Sequence, residues 1–342
     1  MAWLIGTDEA GYGPKLGPLV VAMTAWELSD SVTDTVTDGD LFDRLSDGVT
    51  RSGVTRSGVS SRTQTGRRLR RDGGDESEVV RLTIDDSKRL YQSGGSLAAL
   101  ETGVLTALSL LGKSATHWRQ LFTELAPDDA DRLWDEPWFS DYQASLPVDA
   151  AEGAIEEQAE RLSGVLAAQG VRLAAVRARV ISPSEFNRRV EATGSKGEVL
   201  SQLTLELVRW ATEQAGPARC RVVCDKHGGR NHYHGLLQQV LTDEWIQVVS
   251  EGRASSTYRW GDGHQIEFRV QGEAHLPSGL ASMVAKYLRE QAMRAWNNHW
   301  TRRLPGLRPT AGYPVDAERY LASIAPLLEA DRIDRDRVWR SR

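Results

Sequence analysis

The chain opens on an apolar run, AWLIGTDE, passes through a Gly- and Pro-broken segment, AGYGPKLGP, and returns to apolar residues in LVVAMTAWEL. Short apolar runs split by such breakers predict a buried hairpin rather than a helix. Residues 29–78 differ in kind: a near-repeat, GVTRSGVTRSGVSSR, then TGRRLRRDGGDE, with few large apolar side chains, reads as a low-complexity insertion. VVRLTIDDSKRLY predicts a short strand leading into a loop, and SLAALETGVLTALSLLG has helical periodicity. AAEGAIEEQAERLSGVLAAQG predicts a helix ending at Gly170, and VRLAAVRARVIS a strand. A further helix runs from about Gly197 to Gln214, before the Gly216-Pro217 breaker. The strand ARCRVVCDK enters HGGRNHYH, helix resumes in HYHGLLQQVL, and WIQVVSEG, STYRWGDG and QIEFRVQGEA predict two or three strands. From about Gly279 the pattern is helical with one break at PGLRPTAGYP. The irregular alternation argues for one mixed α/β sheet flanked by helices.

Composition adds little until it is read locally. With 342 residues, 26% charged, 40% hydrophobic and a net charge of −5, the chain has an ordinary globular balance that does not suggest a polyanion binder. Yet Arg51–Arg71 carries seven arginines and no acid, which reads as a solvated loop or a phosphate-seeking arm. Residues 121–160 hold twelve acids against one arginine, with Trp134 and Trp138 among them, and are expected to form a solvated second insertion. No run approaches the roughly 18 apolar residues of a membrane span. MAWLI meets Asp8 too soon, and without basic residues, to be a secretory signal. Cys220 and Cys224 fit one face of a strand and are expected to be buried, reduced thiols. Trp296 and Trp300, four apart, are expected in the core, and the basic tail Trp339-Arg340-Ser341-Arg342 is solvated or touches backbone phosphate.

Four acids end strand-like segments or adjoin glycine turns: Asp8 and Glu9 close the first strand, Asp225 closes CRVVCDK, and Glu273 follows EFRVQG. Carboxylates converging from separate strands need a cation to offset their repulsion, and all-oxygen ligation selects Mg²⁺ or Mn²⁺. Two such ions can clamp a phosphodiester, one activating water and one stabilising the leaving oxygen. His227, His232 and His234 follow Asp225 closely; structural or surface roles come first, with proton shuttling or zinc as alternatives.

These residues resemble the ribonuclease HII (type 2 ribonuclease H) family. DEAGYGPKLGPLVVA resembles its opening DEAGRGPLAGPVVA, Asp86-Ser87-Lys88 with Leu90 its DSK-x-L segment, and VISPSEFN its strand-to-helix stretch. VVCDKHGG resembles the strand bearing its third acid, GEAHLPSGLASMVAKYLRE its GDAK…AASIIAKVTRD block, and PTAGYP its late GYGT segment. The resemblance covers about half the chain, in order. It implies a ribonuclease H-like α/β fold in a single domain over 1–342, with insertions at 29–78 and 113–165 and a helical C-terminal part at 279–342. It further implies hydrolysis of the RNA strand of RNA–DNA hybrids, or of duplex DNA 5′ to an embedded ribonucleotide. Asp8, Glu9, Asp225 and Glu273 would hold two Mg²⁺ or Mn²⁺ ions, with Glu273 where the family has Asp. The substrate would meet Gly11, Tyr12, Gly13, Ser87, Lys88 and Tyr313, the last at the ribo–deoxyribo junction, and Arg230, in the turn after Asp225, is read from its position as a further phosphate contact.

The chain departs from the family in its turn, where Tyr12 replaces Arg and removes a bidentate phosphate fork. Lys15 is the expected source of replacement charge. A monomeric cytoplasmic enzyme is expected, with no membrane partner. The alternatives are a catalytically weak hybrid- or junction-binding protein, and a nuclease for another nucleic-acid structure.

Overall fold

The computed structural model describes residues 1–30, 40–53, 80–241 and 245–341, without the side chains of Asp40 and Glu273. Most of the basic, low-complexity segment lies outside the described residues. The N-terminal hairpin is the spine of a seven-stranded mixed sheet. β1 (Ala2–Ala10) pairs antiparallel with β2 (Leu19–Leu28), and β2 with β5 (Val171–Ile181). On its other edge β1 runs parallel to β6 (Arg219–Asp225), followed by β9 (His264–Arg269), β8 (Ser255–Trp260) and β7 (Gln247–Glu251), giving the order β5-β2-β1-β6-β9-β8-β7. A separate parallel pair joins β3 (Val49–Thr50) to β4 (Leu82–Thr83), next to the DSK segment. The architecture is the expected mixed α/β sheet covered by helices on both faces.

In chain order the helices are α1 (Asp40–Arg44), α2 (Ser87–Leu90), α3 (Ala98–Leu110), α4 (Trp118–Leu125), α5 (Ala130–Trp134), α6 (Pro137–Ser140) and α7 (Ala154–Ala168). Then come α8 (Pro183–Thr193), α9 (Lys196–Ala215), α10 (His234–Val240), α11 (Leu276–Arg303), α12 (Pro314–Ala330) and α13 (Arg335–Val338). Strand alternation splits the core in two. Leu4, Val20, Ala22 and Trp26 face a layer containing α11, α3 and the aromatic helices, whereas Ile5, Val21, Met23, Cys220, Val222 and Cys224 face α8, α9 and α10. Both cysteines are fully buried and unpaired on β6.

α11 sits close to β1 because Gly6 carries no side chain there: a Cβ on Gly6 would lie 2.2 Å from the Ser278 backbone nitrogen. Thr24 Oγ1 donates to the Pro277 carbonyl (2.7 Å) and the Ser278 hydroxyl to the Val223 carbonyl (3.3 Å), so the start of α11 is bonded across β2 and β6.

The acid-rich segment is not the solvated insertion its composition suggests. Trp118, Leu121, Phe122 and Leu125 follow the i, i+3, i+4, i+7 spacing of a buried stripe and are all enclosed. Trp118 packs edge-on to Phe122, Trp134 and Tyr142 at centroid distances of 5.4, 5.1 and 5.1 Å, and Trp138 reaches Trp296 of α11 at 4.7 Å. Counting acids missed this, because the apolar residues that decide burial are few but periodic. One acid is even structural inside: Asp129, almost completely buried, accepts from Arg179 Nε (2.9 Å) and from the Val180 backbone N–H (2.8 Å). Trp296 and Trp300 are core residues as expected. The basic tail is not solvated at Arg340, which is fully buried.

Candidate active site

β1 and β6 bring two of the four acids together. Thr7 pairs with Cys224, so the next position along these parallel strands sets Asp8 beside Asp225, with both side chains on the α11 face. Glu9, one residue on, starts from the opposite face. All three still influence one another: burial pushes the Asp8 carboxyl up to about 7, with Asp225 adding repulsion, and burial, then Asp8 and Asp225, push Glu9 up to about 8. The opposing influences on Asp8 are a hydrogen bond from Ser282, then one from the Glu9 backbone, then the Lys88 cation. Glu273 lies in a turn, Gly272–Ala274, whose Gly272 N–H approaches Asp225 Oδ1 at 3.4 Å; its backbone is thus at the site while its side chain lies outside the described residues.

Ser282 is the residue that sequence reasoning missed. Nearly fully buried on α11, its hydroxyl accepts from the Ser87 N–H (3.2 Å), lies 3.1 Å from the Ser87 hydroxyl and hydrogen-bonds Asp8. It ties the DSK segment to the first acid and so positions Lys88, whose side chain is exposed. Asp86 caps α2 by accepting from the Lys88 N–H (3.0 Å). The signal was present as a small polar residue one α-helical turn from Ser278 in SGLASMVAK, but periodicity alone reads it as packing.

The turn after β1 holds the expected substrate residues in one region. Gly11 has φ +87°, and a Cβ there would meet Arg289 Nε at 2.4 Å, so the turn lies directly on a buried guanidinium of α11. Gly13 is exposed with the Tyr313 ring 3.9 Å from its Cβ position, and Tyr313 is itself 56% exposed. Arg230 stands near Tyr12 and 3.9 Å from Glu198. The cation against the Tyr12 ring is Lys196, at 4.8 Å, whereas Lys15 turns toward the C-terminal tail, 3.4 Å from the Ser341 carbonyl. Lys196 was not singled out from sequence.

Of the histidines after Asp225, His227 takes a structural role, while His232 and His234 lie at the surface. The His227 ring is enclosed by the hydroxyls of Ser201 (2.9 Å) and Thr204 (3.4 Å), and burial holds it down to about 3, hence neutral. His232 bonds Glu251 at 2.5 Å on the surface.

The donor set fits a hard divalent cation. Asp8, Glu9 and Asp225 offer only oxygen, and the raised protonation of Asp8 and Glu9 is the electrostatic deficit such a cation would relieve. Among the described residues, however, no three Asp, Glu, His or Cys side chains close into a ready-made ligand group.

No family model matches the chain, and no curated protein matches its sequence. Solved structures similar to it include the PCNA:RNase HII complex from Archaeoglobus fulgidus (14% identity, 99% of this chain and 94% of that one, TM-score 0.40). Others are ribonuclease H2 from Pyrococcus horikoshii OT3 (11%, 98% and 92%, TM-score 0.41) and Bst-RNase HIII in complex with Mn²⁺ (13%, 99% and 66%, TM-score 0.39). At this level of likeness, chemistry has to be argued from the residues of the site. No helix among the described residues is long and apolar enough to cross a membrane.

Proposed function

We propose that this protein is a divalent-metal-dependent endonuclease of the ribonuclease HII type, hydrolysing the RNA strand of RNA–DNA hybrids or ribonucleotides embedded in duplex DNA. The observation that carries the reading is the placement of Asp8 next to Asp225, one position past the Thr7–Cys224 pair of two parallel strands, with Glu9 and Lys88 close enough for their charges to act on Asp8 or on one another. Asp8, Glu9, Asp225 and Glu273 would hold Mg²⁺ or Mn²⁺. Bound there, the cation would activate water and neutralise charge on the leaving oxygen.

The protein's own residues orient the strand. The Gly11-Tyr12-Gly13 turn brings backbone and a phenol close to the sugar, where the 2′-hydroxyl distinguishes RNA from DNA. Tyr313, exposed beside Gly13, offers a flat face for the ribose at the junction. Lys88, Arg230 and Lys15 supply point and fork charges for phosphates, and Ser87 holds Lys88 in place through Ser282. Water adds to phosphorus, the bond to the 3′ oxygen breaks, and the products carry a 3′-hydroxyl and a 5′-phosphate. Two buried free thiols support a reducing, cytoplasmic setting, and we take the enzyme to act as a monomer.

The test is cleavage of a labelled DNA duplex holding one ribonucleotide, with Mg²⁺ or Mn²⁺. Cleavage that disappears in Asp8→Asn supports the proposal; no cleavage with either ion, or cleavage untouched by Asp8→Asn, overturns it. A second reading, a hybrid-binding protein with weak turnover, is favoured by the Gly11-Tyr12-Gly13 turn, which carries no guanidinium, and by Glu273 at the fourth acid position. Salt-dependent hybrid binding without hydrolysis selects it.

A further inference from the structure

Arg51 and Ser52 follow β3 at the head of the basic stretch, yet both turn back onto the fold. Arg51 Nη2 donates to the carbonyl of Ala274 (2.5 Å), the residue after Glu273. Its guanidinium carbon lies 4.2 Å from the centre of the Phe42 ring on α1. α1 is itself anchored: Leu41 and Leu45 are buried, and Leu41 borders a small cavity with His275 and Pro277 at the start of α11. Ser52 donates to Asp85 Oδ2 from its N–H (3.1 Å) and again from its hydroxyl. Just before them, the Thr50 carbonyl accepts from the Ile84 N–H (2.9 Å), so this stretch runs beside the strand that leads into the DSK segment.

The two contacts reach two different parts of the candidate site. Asp85 is almost fully buried and immediately precedes Asp86-Ser87-Lys88; its Oδ1 accepts from the Asp86 N–H (2.8 Å). From that segment the bonds continue through Ser87 and Ser282 to Asp8. The other contact falls on the Gly272–Ala274 turn. Gly272 packs against the end of β6, where a Cβ would meet the Asp225 backbone nitrogen at 2.9 Å. Gln271 enters the turn with φ +62°, a conformation uncommon for a residue with a side chain, which persists only where the surroundings impose it. The turn's own bonds run from the Ala274 N–H to the Gln271 carbonyl and from the His275 N–H to the Gly272 carbonyl, both 3.1 Å. Arg51 adds a bond from outside, one residue from the acid.

A hydrogen bond from an ionised donor is stronger than one between neutral groups. A planar guanidinium resting on an aromatic ring also gives up less freedom in forming it than a lysine would. Groups that orient a metal ligand from behind matter to a metal site nearly as much as the ligands themselves. We propose that Arg51 is a positioning residue of the candidate active site, holding the turn that carries Glu273 so that the fourth acid serves the divalent cation of Asp8, Glu9 and Asp225. Ser52, through Asp85, ties the same strut to the segment that carries Lys88. This rests on the metal-dependent reading of the site. It draws on a stretch that lies outside the family-like blocks, and it takes Arg51 out of the solvated or phosphate-seeking arm to which composition assigns it.

The experiment is a calorimetric titration of Mn²⁺ into the full chain, for wild type, Arg51→Met, Arg51→Lys, Glu273→Gln and the double variant. Losing a group that orients a metal ligand weakens affinity about 10–100-fold; Arg51 holds the neighbouring carbonyl rather than the carboxylate, so the low end applies. We expect Arg51→Met to bind Mn²⁺ about tenfold more weakly and Arg51→Lys to recover most of that loss. In the Glu273→Gln background, Arg51→Met should add no more than about twofold. Charge alone works in the other direction, because removing a cation near the site favours Mn²⁺. The melting temperature of Arg51→Met should stay close to wild type; if that variant fails to fold, Arg51→Gln is read in its place. An undiminished tenfold loss in the Glu273→Gln background overturns the proposal, since Arg51 would then act by a route other than that acid. Unchanged or tighter Mn²⁺ binding in Arg51→Met also overturns it; weaker binding of a labelled ribonucleotide-containing duplex in chelator would then make Arg51 a phosphate contact instead. A wild type that takes up no Mn²⁺ at all overturns the metal-dependent reading itself.

Discussion

Ser282→Ala probes the candidate site at the point where packing becomes chemistry. The hydroxyl bonds the Asp8 carboxyl and accepts from the Ser87 N–H at 3.2 Å in a nearly dry setting. A hydrogen bond to a charged group contributes about 1.5–3 kcal/mol. One pH unit corresponds to about 1.4 kcal/mol, and Asp8 is only half-buried, so the low end applies and its pKa should rise by about one unit from about 7. A divalent ion must then displace a proton over a wider pH range, which weakens apparent affinity about tenfold per unit below the pKa. Calorimetric titration with Mn²⁺ at about pH 6.5 and about pH 9 reads this directly and needs no turnover. The substitution should weaken binding about tenfold at the lower pH and change it little at the higher. Orphaning the Ser87 N–H should also lower stability by about 1–2 kcal/mol in a thermal melt. Equal weakening at both pH values would refute the reasoning, because a purely structural disturbance has no reason to follow protonation of Asp8.

Further expectations concern the frame around the site. Asp8 and Glu9 are raised to about 7 and about 8, so the folded metal-free chain binds more protons than the unfolded one above the ordinary carboxyl range. Its stability should therefore fall as pH rises from about 4.5 to 8, and Mg²⁺ should reverse the loss; melting temperatures across that range, with and without the ion, check it. Gly6→Ala should destabilise by at least about 1–3 kcal/mol, since its Cβ would meet backbone at 2.2 Å, and a denaturant titration reads the change. Trp138→Ala, which empties a fully enclosed site against Trp296 and Trp300, should lose about 3–5 kcal/mol. A denaturation midpoint close to wild type would return the acid-rich segment to the status of a peripheral insertion.

The hairpin ending in Asp8 and Glu9, the strand ending in Asp225, the two cysteines on one strand face and the Trp296/Trp300 pair were all legible in the chain. Each rests on local periodicity or on a breaker at a fixed offset, properties the sequence carries by itself. Tertiary structure decided what depended on distant partners. It set Asp8 beside Asp225 through the register of two strands more than 200 residues apart, and it joined Ser282 of α11 to Ser87 and Asp8. Lys196, rather than Lys15, faces Tyr12 because α9 begins where the turn passes. Arg340, which composition assigns to a basic tail, became the most enclosed cation of the loop region because Lys15, Phe186 and Asn187 receive the strand that carries it. Burial and pairing are sums over neighbours that meet only when the chain has folded, so no window along the sequence contains them.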